Sequence, residues 1–302
     1  MAVINPDLKW ANSTTSSFYF LNDLNDPSKY KSKGASYTGP AFGNTEALDF
    51  QSIPHNLTSP WGSDNFSTVV LDTDFGGVKL NTVVHPTGKN MYYRGVGGIV
   101  TPGYGNDFTT FPPGWSWYWT NPHLQVTGTI TVDGKLVSID TSQSLGLLER
   151  QYGAFRVFEK GFYLLWAYLP NGIVVQVWVI SPRADGTGPS SMVTIWHPNG
   201  LHEVPAVNMS ATRAWDLSIS KATRREYFNK FRVALTAHNM KFNFEKSIRD
   251  TEIRPVPGMT GLIVSESYCE GTDEWDGEVL PWFGHCEELS ARKQGSTLHS
   301  AA

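Results

Sequence analysis

Short apolar runs of period two, each closed by a turn dipeptide, recur through this sequence, and no stretch holds a helical stripe for three turns. Phe66 to Leu71 and Val78 to Val84 flank Asp74-Phe75-Gly76-Gly77, and Leu124 to Ile130 and Lys135 to Ile139 flank Asp133-Gly134. Phe162 to Leu169 and Ile173 to Ile180 flank Pro170-Asn171-Gly172, and Asp276-Gly277 precedes Trp282 to Leu289. Asp-Gly and Asn-Gly supply the positive φ angles that tight hairpins need, while alternation sends one face of each strand into a core. The chain is therefore expected to be all-β, an antiparallel sandwich or barrel.

Its 302 residues exceed the size at which one core stops growing, so two domains or one long β body are expected. The turn-rich stretch Ser181 to Pro189 is the best linker candidate, which divides the chain into 1–185 and 186–302. Beyond it, Met192 to Trp196, Glu203 to Val207, Arg213 to Ile219, Tyr227 to Leu235, Met240 to Phe244 and Gly261 to Tyr268 read as strands. Trp10 to Pro60 is polar and broken by Gly39, Pro40 and Gly43, and reads as ordered loops with a few short strands.

A net charge of -4 gives no support to nucleic-acid binding, and Lys221-Ala222-Thr223-Arg224-Arg225 reads as a solvated strand edge. There is no run of 18 apolar residues, so no membrane span is expected. The first ten residues lack the apolar core of a signal peptide, and sequons at Asn12, Asn56, Asn65 and Asn208 leave localisation open. The glycines from Gly95 to Gly105 run into Phe111-Pro112-Pro113-Gly114 rather than a helix, so no phosphate loop and no nucleotide cofactor are expected. His197, His202 and Glu203 lie on a loop and match no zinc pattern, and no metal is expected. Cys269 and Cys286 lie on strands that pair about Asp276-Gly277; a disulfide there needs a bulge or a longer loop, and buried free thiols are the other reading.

Aromatic residues make up 13% of the chain, with 11 Trp, which is more than packing requires. In Trp115-Ser116-Trp117-Tyr118-Trp119-Thr120, alternation puts the three indoles on one face and Tyr118 on the other, one face in a core and the other available as a ligand wall. Candidates for contact with an apolar small molecule are Trp61, Trp117, Tyr118, Trp119, Gln151 and Trp166. Trp196, His197, Glu270, Trp282 and Glu287 complete that set. Leu145-Gly146-Leu147-Leu148-Glu149-Arg150-Gln151-Tyr152-Gly153 places two full charges among apolar residues. Either Glu149 and Arg150 form a structural pair or alternate out to solvent, or Glu149 is a carboxylic acid at the wall of an apolar cavity. Glu149, Arg150 and Asp64 are the catalytic candidates.

The order of Trp115 to Thr120, Val126-Thr127-Gly128-Thr129-Ile130 with Asp133-Gly134, and Glu149-Arg150-Gln151-Tyr152-Gly153 resembles the first domain of the AttH / hydroxyneurosporene synthase (CrtC-like) family. Tyr268-Cys269-Glu270-Gly271, then Gly277 and Gly284-His285-Cys286-Glu287, is similar to its closing hairpin. The resemblance runs from about Trp61 to Leu289. It implies two lipocalin-like antiparallel β domains side by side, with a ligand cavity between or within them. Family members include carotenoid and kievitone hydratases and fungal Diels-Alderases, which handle greasy, unsaturated or prenylated molecules without an organic cofactor. This sequence departs at Glu149-Arg150-Gln151, where the hydratases carry an Asp-His type pair, which leaves the reaction class open within the family.

The expected function is thus a cofactor-independent cyclase or isomerase of a hydrophobic polyene or prenylated secondary metabolite, by Diels-Alder-type cycloaddition or by acid-assisted cyclisation or epoxide rearrangement, with a hydratase or a non-catalytic carrier as alternatives. The expected partner is a hydrophobic small molecule, and the oligomeric state is open. An aromatic cavity that folds a polyene into a reactive conformer can supply about 7–11 kcal/mol by positioning alone. A desolvated Glu149 adds a proton donor, unless Arg150 pairs with it and keeps it ionised.

Overall fold

The computed structural model describes residues 10–44, 49–52, 55–58, 68–100, 115–153, 161–180, 190–253 and 263–290. Among these the longest helical segments are two three-residue turns, Pro27–Lys29 and Tyr93–Gly95, and no helix is long and apolar enough to cross a membrane. Everything else with regular structure is strand, in two antiparallel sheets.

The first sheet holds Trp10–Leu21 (β1), Lys31–Asn44 (β2), Asp49–Ser52 (β3), His55–Thr58 (β4), Val69–Phe75 (β5), Val78–Pro86 (β6), Met91–Tyr92 (β7), Gly98–Val100 (β8), Trp115–Val132 (β9), Lys135–Ser138 (β10) and Gly146–Gly153 (β11). Its order is β1-β2-β3-β4-β5-β6-β9-β10, with β7, β8 and β11 also paired to β9. The 18 residues of β9 are the spine: the last part pairs with β6 and β10, the first with β11 on one edge and with β7 and β8 on the other. Trp10 to Pro60, expected as ordered loops with a few short strands, supplies the longest hairpin of this sheet among the described residues, β1 with β2, because Ser- and Thr-rich strands carry no apolar alternation for a sequence reading to find.

The second sheet holds Gly161–Tyr168 (β12), Val174–Ile180 (β13), Ser190–Trp196 (β14), His202–Glu203 (β15), Arg213–Ile219 (β16), Glu226–Ala234 (β17), Lys241–Lys246 (β18), Val264–Trp275 (β19) and Glu278–Ser290 (β20), in the order β15-β14-β13-β12-β20-β19-β18-β17-β16. The chain passes between sheets after Gly153 and before Gly161, so the expected division at 185/186 falls within the second sheet. The linker candidate 181–189 lies outside the described residues and joins β13 to β14, which are neighbours.

Central strands β12 and β13 are buried on both faces, which is why their sequences are nearly continuous apolar runs. Leu165, Ala167, Val175, Val177 and Val179 face the inside of the curled second sheet, packing on Phe231, Phe242 and Trp282. Phe162, Leu164, Trp166, Tyr168 and Trp178 face the first sheet, packing on Met91, Tyr93 and Tyr118. Each such side chain contributes roughly 1.5–3 kcal/mol when fully buried. The inner core ends in a fully buried ion pair, Lys246 Nζ to Glu288 at 2.9 Å, with Ser265 Oγ accepting a second hydrogen bond from Nζ at 3.1 Å.

Polar contacts fasten the sheets at their rims. Tyr92 N donates to His202 Nε2 at 2.8 Å, Arg94 N to Thr194 Oγ1 at 2.9 Å, and Tyr30 OH to the Thr251 carbonyl at 2.9 Å.

The turns at Asp133-Gly134 and Asp276-Gly277 both take two positive φ angles, as two-residue hairpins require. At the second turn no bulge intervenes: Cys269 lies opposite Gly284 and Cys286 opposite Ser267, and both cysteines are buried free thiols. The disulfide reading therefore fails by two residues of register. Gly284 also sets how closely β20 approaches β12, since a Cβ there meets the Trp166 carbonyl oxygen at 1.7 Å. Gly284→Ala is expected to cost about 1–3 kcal/mol or more by overpacking, read from the urea unfolding midpoint.

Candidate functional site

In β11 neighbouring side chains point to opposite faces, so Glu149 and Arg150 part company. Glu149 lies opposite Thr120 in β9 and Gln151 opposite Tyr118, which puts all four side chains on the face turned toward the second sheet. Arg150 lies opposite Trp119 and sits over its ring at 5.9 Å on the other face. The hydroxyl of the buried Tyr118 donates to Glu149 Oε1.

The facing surface is a register of rows across the second sheet. One row is Tyr268, His285, Trp166, Gln176 and Thr194, and the next is Glu266, Glu287, Leu164, Trp178 and Met192. Glu266 Oε2 bonds His285 Nε2 at 2.5 Å, and the Phe20 ring lies over the imidazole with centroids 6.1 Å apart. Three carboxyl groups and one imidazole from both sheets thus meet beside Trp166.

Burial dominates the ionisation of this group. It pushes the Glu149 carboxyl up to about 7; His285 opposes the rise, Glu266 adds to it, and the Trp166 indole N–H favours the charged form without closing a full hydrogen bond. Burial drives Glu287 well above the usual carboxylate range, and the neighbouring charges of Glu266 and Glu149 add to the rise. Burial alone lowers the pKa of His285, but the adjacent Glu266 carboxylate outweighs it and raises the pKa overall. Glu149 is nevertheless an exposed residue, and the His285 side chain keeps 27% of its own surface.

The other sequence candidates are placed as follows. Trp166 and Trp196 are buried at 1% exposure in the intersheet core, Trp196 stacked on His123 at 5.2 Å. Trp117 and Trp119 are half-buried on the face turned away from Glu149, so the wall nearest the acid is Tyr118, not the indoles. Arg150 is separated from Glu149 by the same alternation. Trp282 faces the inner core of the second sheet and donates to Asp273 at 2.6 Å. Glu270 is exposed and bonded by Tyr268 OH at 2.9 Å, four residues along β19 from Glu266. His197 pairs with Glu203 at 2.5 Å, and Glu203 in turn with His238 at 2.9 Å, a separate polar chain at the hairpin ends. Trp61 and Asp64 lie outside the described residues. Sequence reasoning missed Glu266 and His285 as site members, although counting back from the Asp276-Gly277 turn puts Glu266 opposite Glu287 and Tyr268 opposite His285.

No family model matches the sequence, and no curated protein matches it. Solved structures do. Kievitone hydratase from Nectria haematococca superposes with a TM-score of 0.77 at 16% identity, covering 96% of this chain and 82% of that one. A protein assigned as AttH from Nitrosomonas europaea gives 0.69 at 16% identity, covering 94% and 83%. CghA, solved with Sch210972, gives 0.51 at 13% identity, covering 92% and 84%. The chain has the lipocalin-like all-β fold of these proteins. The fold expected from the sequence motifs is the fold found, and its structural neighbours include an enzyme by name, a hydratase.

A native carboxyl whose pKa is raised binds more protons than the unfolded chain does, so its contribution to stability is full below the unfolded value and is lost as pH rises toward about 7. Glu149→Gln cannot lose it. The stability of the wild type relative to Glu149→Gln is therefore expected to fall between pH 5 and pH 8 in urea titrations, and a constant difference would remove the raised pKa.

Proposed function

We propose that this protein is a cofactor-independent enzyme in which Glu149 donates a proton to an apolar, unsaturated small molecule held between the two sheets, driving ring closure or isomerisation. The observation that carries this reading is a carboxyl group poised near neutrality, bonded by the buried Tyr118 hydroxyl and set beside Trp166 and His285. Protonation of an alkene carbon or an epoxide oxygen by Glu149 leaves a cation on the substrate and a carboxylate on the enzyme. An internal alkene or hydroxyl captures the cation, and the proton released from that new centre returns to Glu149, so the product is an isomer of the substrate. The His285–Glu266 pair supports the step, since a protonated imidazole beside Glu149 stabilises the carboxylate that donation leaves behind. Tyr118, Trp166 and Trp178 supply the faces against which a flexible chain folds.

The similarity to kievitone hydratase favours one second reading, capture of the same cation by water, with the proton of the added water returning to Glu149. Mass separates the two. Purified protein incubated with linear polyene and prenylated precursors is expected to give a product isomeric with the substrate; a product heavier by one water moves the assignment to hydration, and no product at all leaves a carrier. Glu149→Gln is expected to lower turnover by about 10²–10⁴-fold with the fold intact. Wild-type turnover is expected to decline as pH rises through about 7.

A further inference from the structure

The polar chain that runs through Glu203 joins distant parts of the second sheet. Glu203 sits on β15, the first strand in the sheet order, whereas His238 lies in the turn between β17 and β18, near the other end of that order. Asp276 lies in the turn between β19 and β20. The chain beyond β15 continues the closure, since Thr236 N donates to the Ala206 carbonyl at 2.9 Å and Asn208 N to the Ala234 carbonyl at 2.8 Å. The curl of the sheet is thus closed at its turn end, beside Val207, Leu235, Met240 and Trp275 of the inner core. His238 is at the centre of this closure. Its Nε2 lies 2.9 Å from Glu203 Oε2 and its Nδ1 2.8 Å from Asp276 Oδ2, and the ring stacks on Trp275 with centroids 4.2 Å apart. His197 Nε2 meets the other Glu203 oxygen at 2.5 Å, and the Asp276 amide donates to the His238 carbonyl at 3.1 Å.

A neutral imidazole has one N–H and one bare nitrogen, and an ionised carboxylate can only accept. Both nitrogens of His238 face carboxylate oxygens, so the arrangement calls for the doubly protonated ring. Loss of one proton sets a lone pair against a carboxylate. We infer that His238, Glu203 and Asp276 form a pH-sensitive clasp across the turn end of the second sheet, closed while His238 is an imidazolium and released when it is neutral. The charged groups that act on the ring are Glu203 from β15 and Asp276 from the β19–β20 turn. Trp275 covers its face, the neighbouring Asn239 amide holds Glu274 at 3.3 Å, and His197 reaches it through Glu203. Burial lowers the His238 pKa, but the two carboxylates outweigh it and raise the pKa overall. Burial likewise raises the Glu203 carboxyl, and the hydrogen bonds from His238 and His197 outweigh it and bring it below its ordinary value. The raised imidazole contributes stability that is full below its unfolded value of about 6.5 and is lost as pH rises through the higher native value. The lowered carboxyl contributes above its unfolded value of about 4.3 and loses that as pH falls through the native one. The clasp is therefore closed in weakly acidic solution and opens on the alkaline side. Its strand β15 also touches the first sheet, because His202, on the face opposite Glu203, accepts the Tyr92 amide at 2.8 Å.

Nitrogen-15 NMR of the histidine rings tests the clasp, with His238 assigned through its contact with the Trp275 ring. Both nitrogens are expected to be protonated at about pH 6, with a midpoint above the ordinary value of about 6.5. Glu203→Gln should move that midpoint down. At the closed end of the sheet, hydrogen exchange of the Thr236 and Asn208 amides is corrected for its intrinsic pH dependence. It is expected to speed up by about two- to fivefold between about pH 6 and pH 8.5, the scale of a part-exposed ion pair. His238→Gln keeps a side-chain donor but does not titrate, so its corrected exchange should be equal at the two pH values. Glu149 titrates over part of the same range, and the clasp is expected to behave in Glu149→Gln as it does in the wild type. A midpoint at or below about 6.5, or a single protonated nitrogen at about pH 6, overturns the inference. So does corrected exchange that is equal at the two pH values in the wild type, or a pH dependence that persists in His238→Gln. Loss of the pH dependence in Glu149→Gln also overturns it, by assigning the effect to the site acid.

Discussion

The alternation of side chains along β11 sets the surroundings of Glu149. It sends Glu149 inward to Tyr118 and Trp166 and sends Arg150 outward to Trp119, a separation that no flexing of the side chains undoes. Had the two charges shared a face, the guanidinium would hold the carboxyl ionised and the cavity would contain a structural ion pair. With Arg150 removed, Glu149 meets desolvation, a second acid row and an imidazole whose own charge is tied to Glu266. A slip of one residue in the β9–β11 register would invert every one of these relations.

The second sheet makes that arrangement durable. Its central strands are buried on both faces, so it is at once the wall of the intersheet space and the wall of its own inner core. Ionisable groups are distributed accordingly. On the inner face Lys246 and Glu288 neutralise each other and are bonded further by Ser265 and the Phe228 amide. On the outer face three carboxyl groups share one imidazole. The inner pair is satisfied and reads as structure, whereas the outer group is unbalanced, and an unbalanced buried group is where proton chemistry becomes available.

Much of this was legible in the sequence. The hairpin dipeptides at Asp133-Gly134 and Asp276-Gly277 formed as turn chemistry demands, and the aromatic alternation of β9 placed Tyr118 and Thr120 on one face and Trp117 and Trp119 on the other. What the sequence does not display is which face meets the second sheet, since both are aromatic; the structure puts Tyr118 on the face of Glu149 and Trp117 and Trp119 on the other. Trp282 and His197 stood out as residue types, but their roles were set by the curl of the second sheet and by Glu203, relations of tertiary packing. His285 and Glu266 were hidden because neither is near the other, or near Glu149, along the chain. Only the register of β19 with β20 and the docking of the sheets join them.

The central claim is that Glu149 is a protonated acid near neutrality because it lies on the face turned toward the second sheet, beside Glu266, while Arg150 lies on the other face. Carbon-13 NMR of protein labelled at the glutamate side-chain carboxyl, with Glu149→Gln to assign the resonance, measures this directly. The account predicts a carboxyl signal that titrates with a midpoint of about 7 and is missing from the variant. A Glu149 midpoint near the ordinary glutamate value of about 4.3 would contradict it.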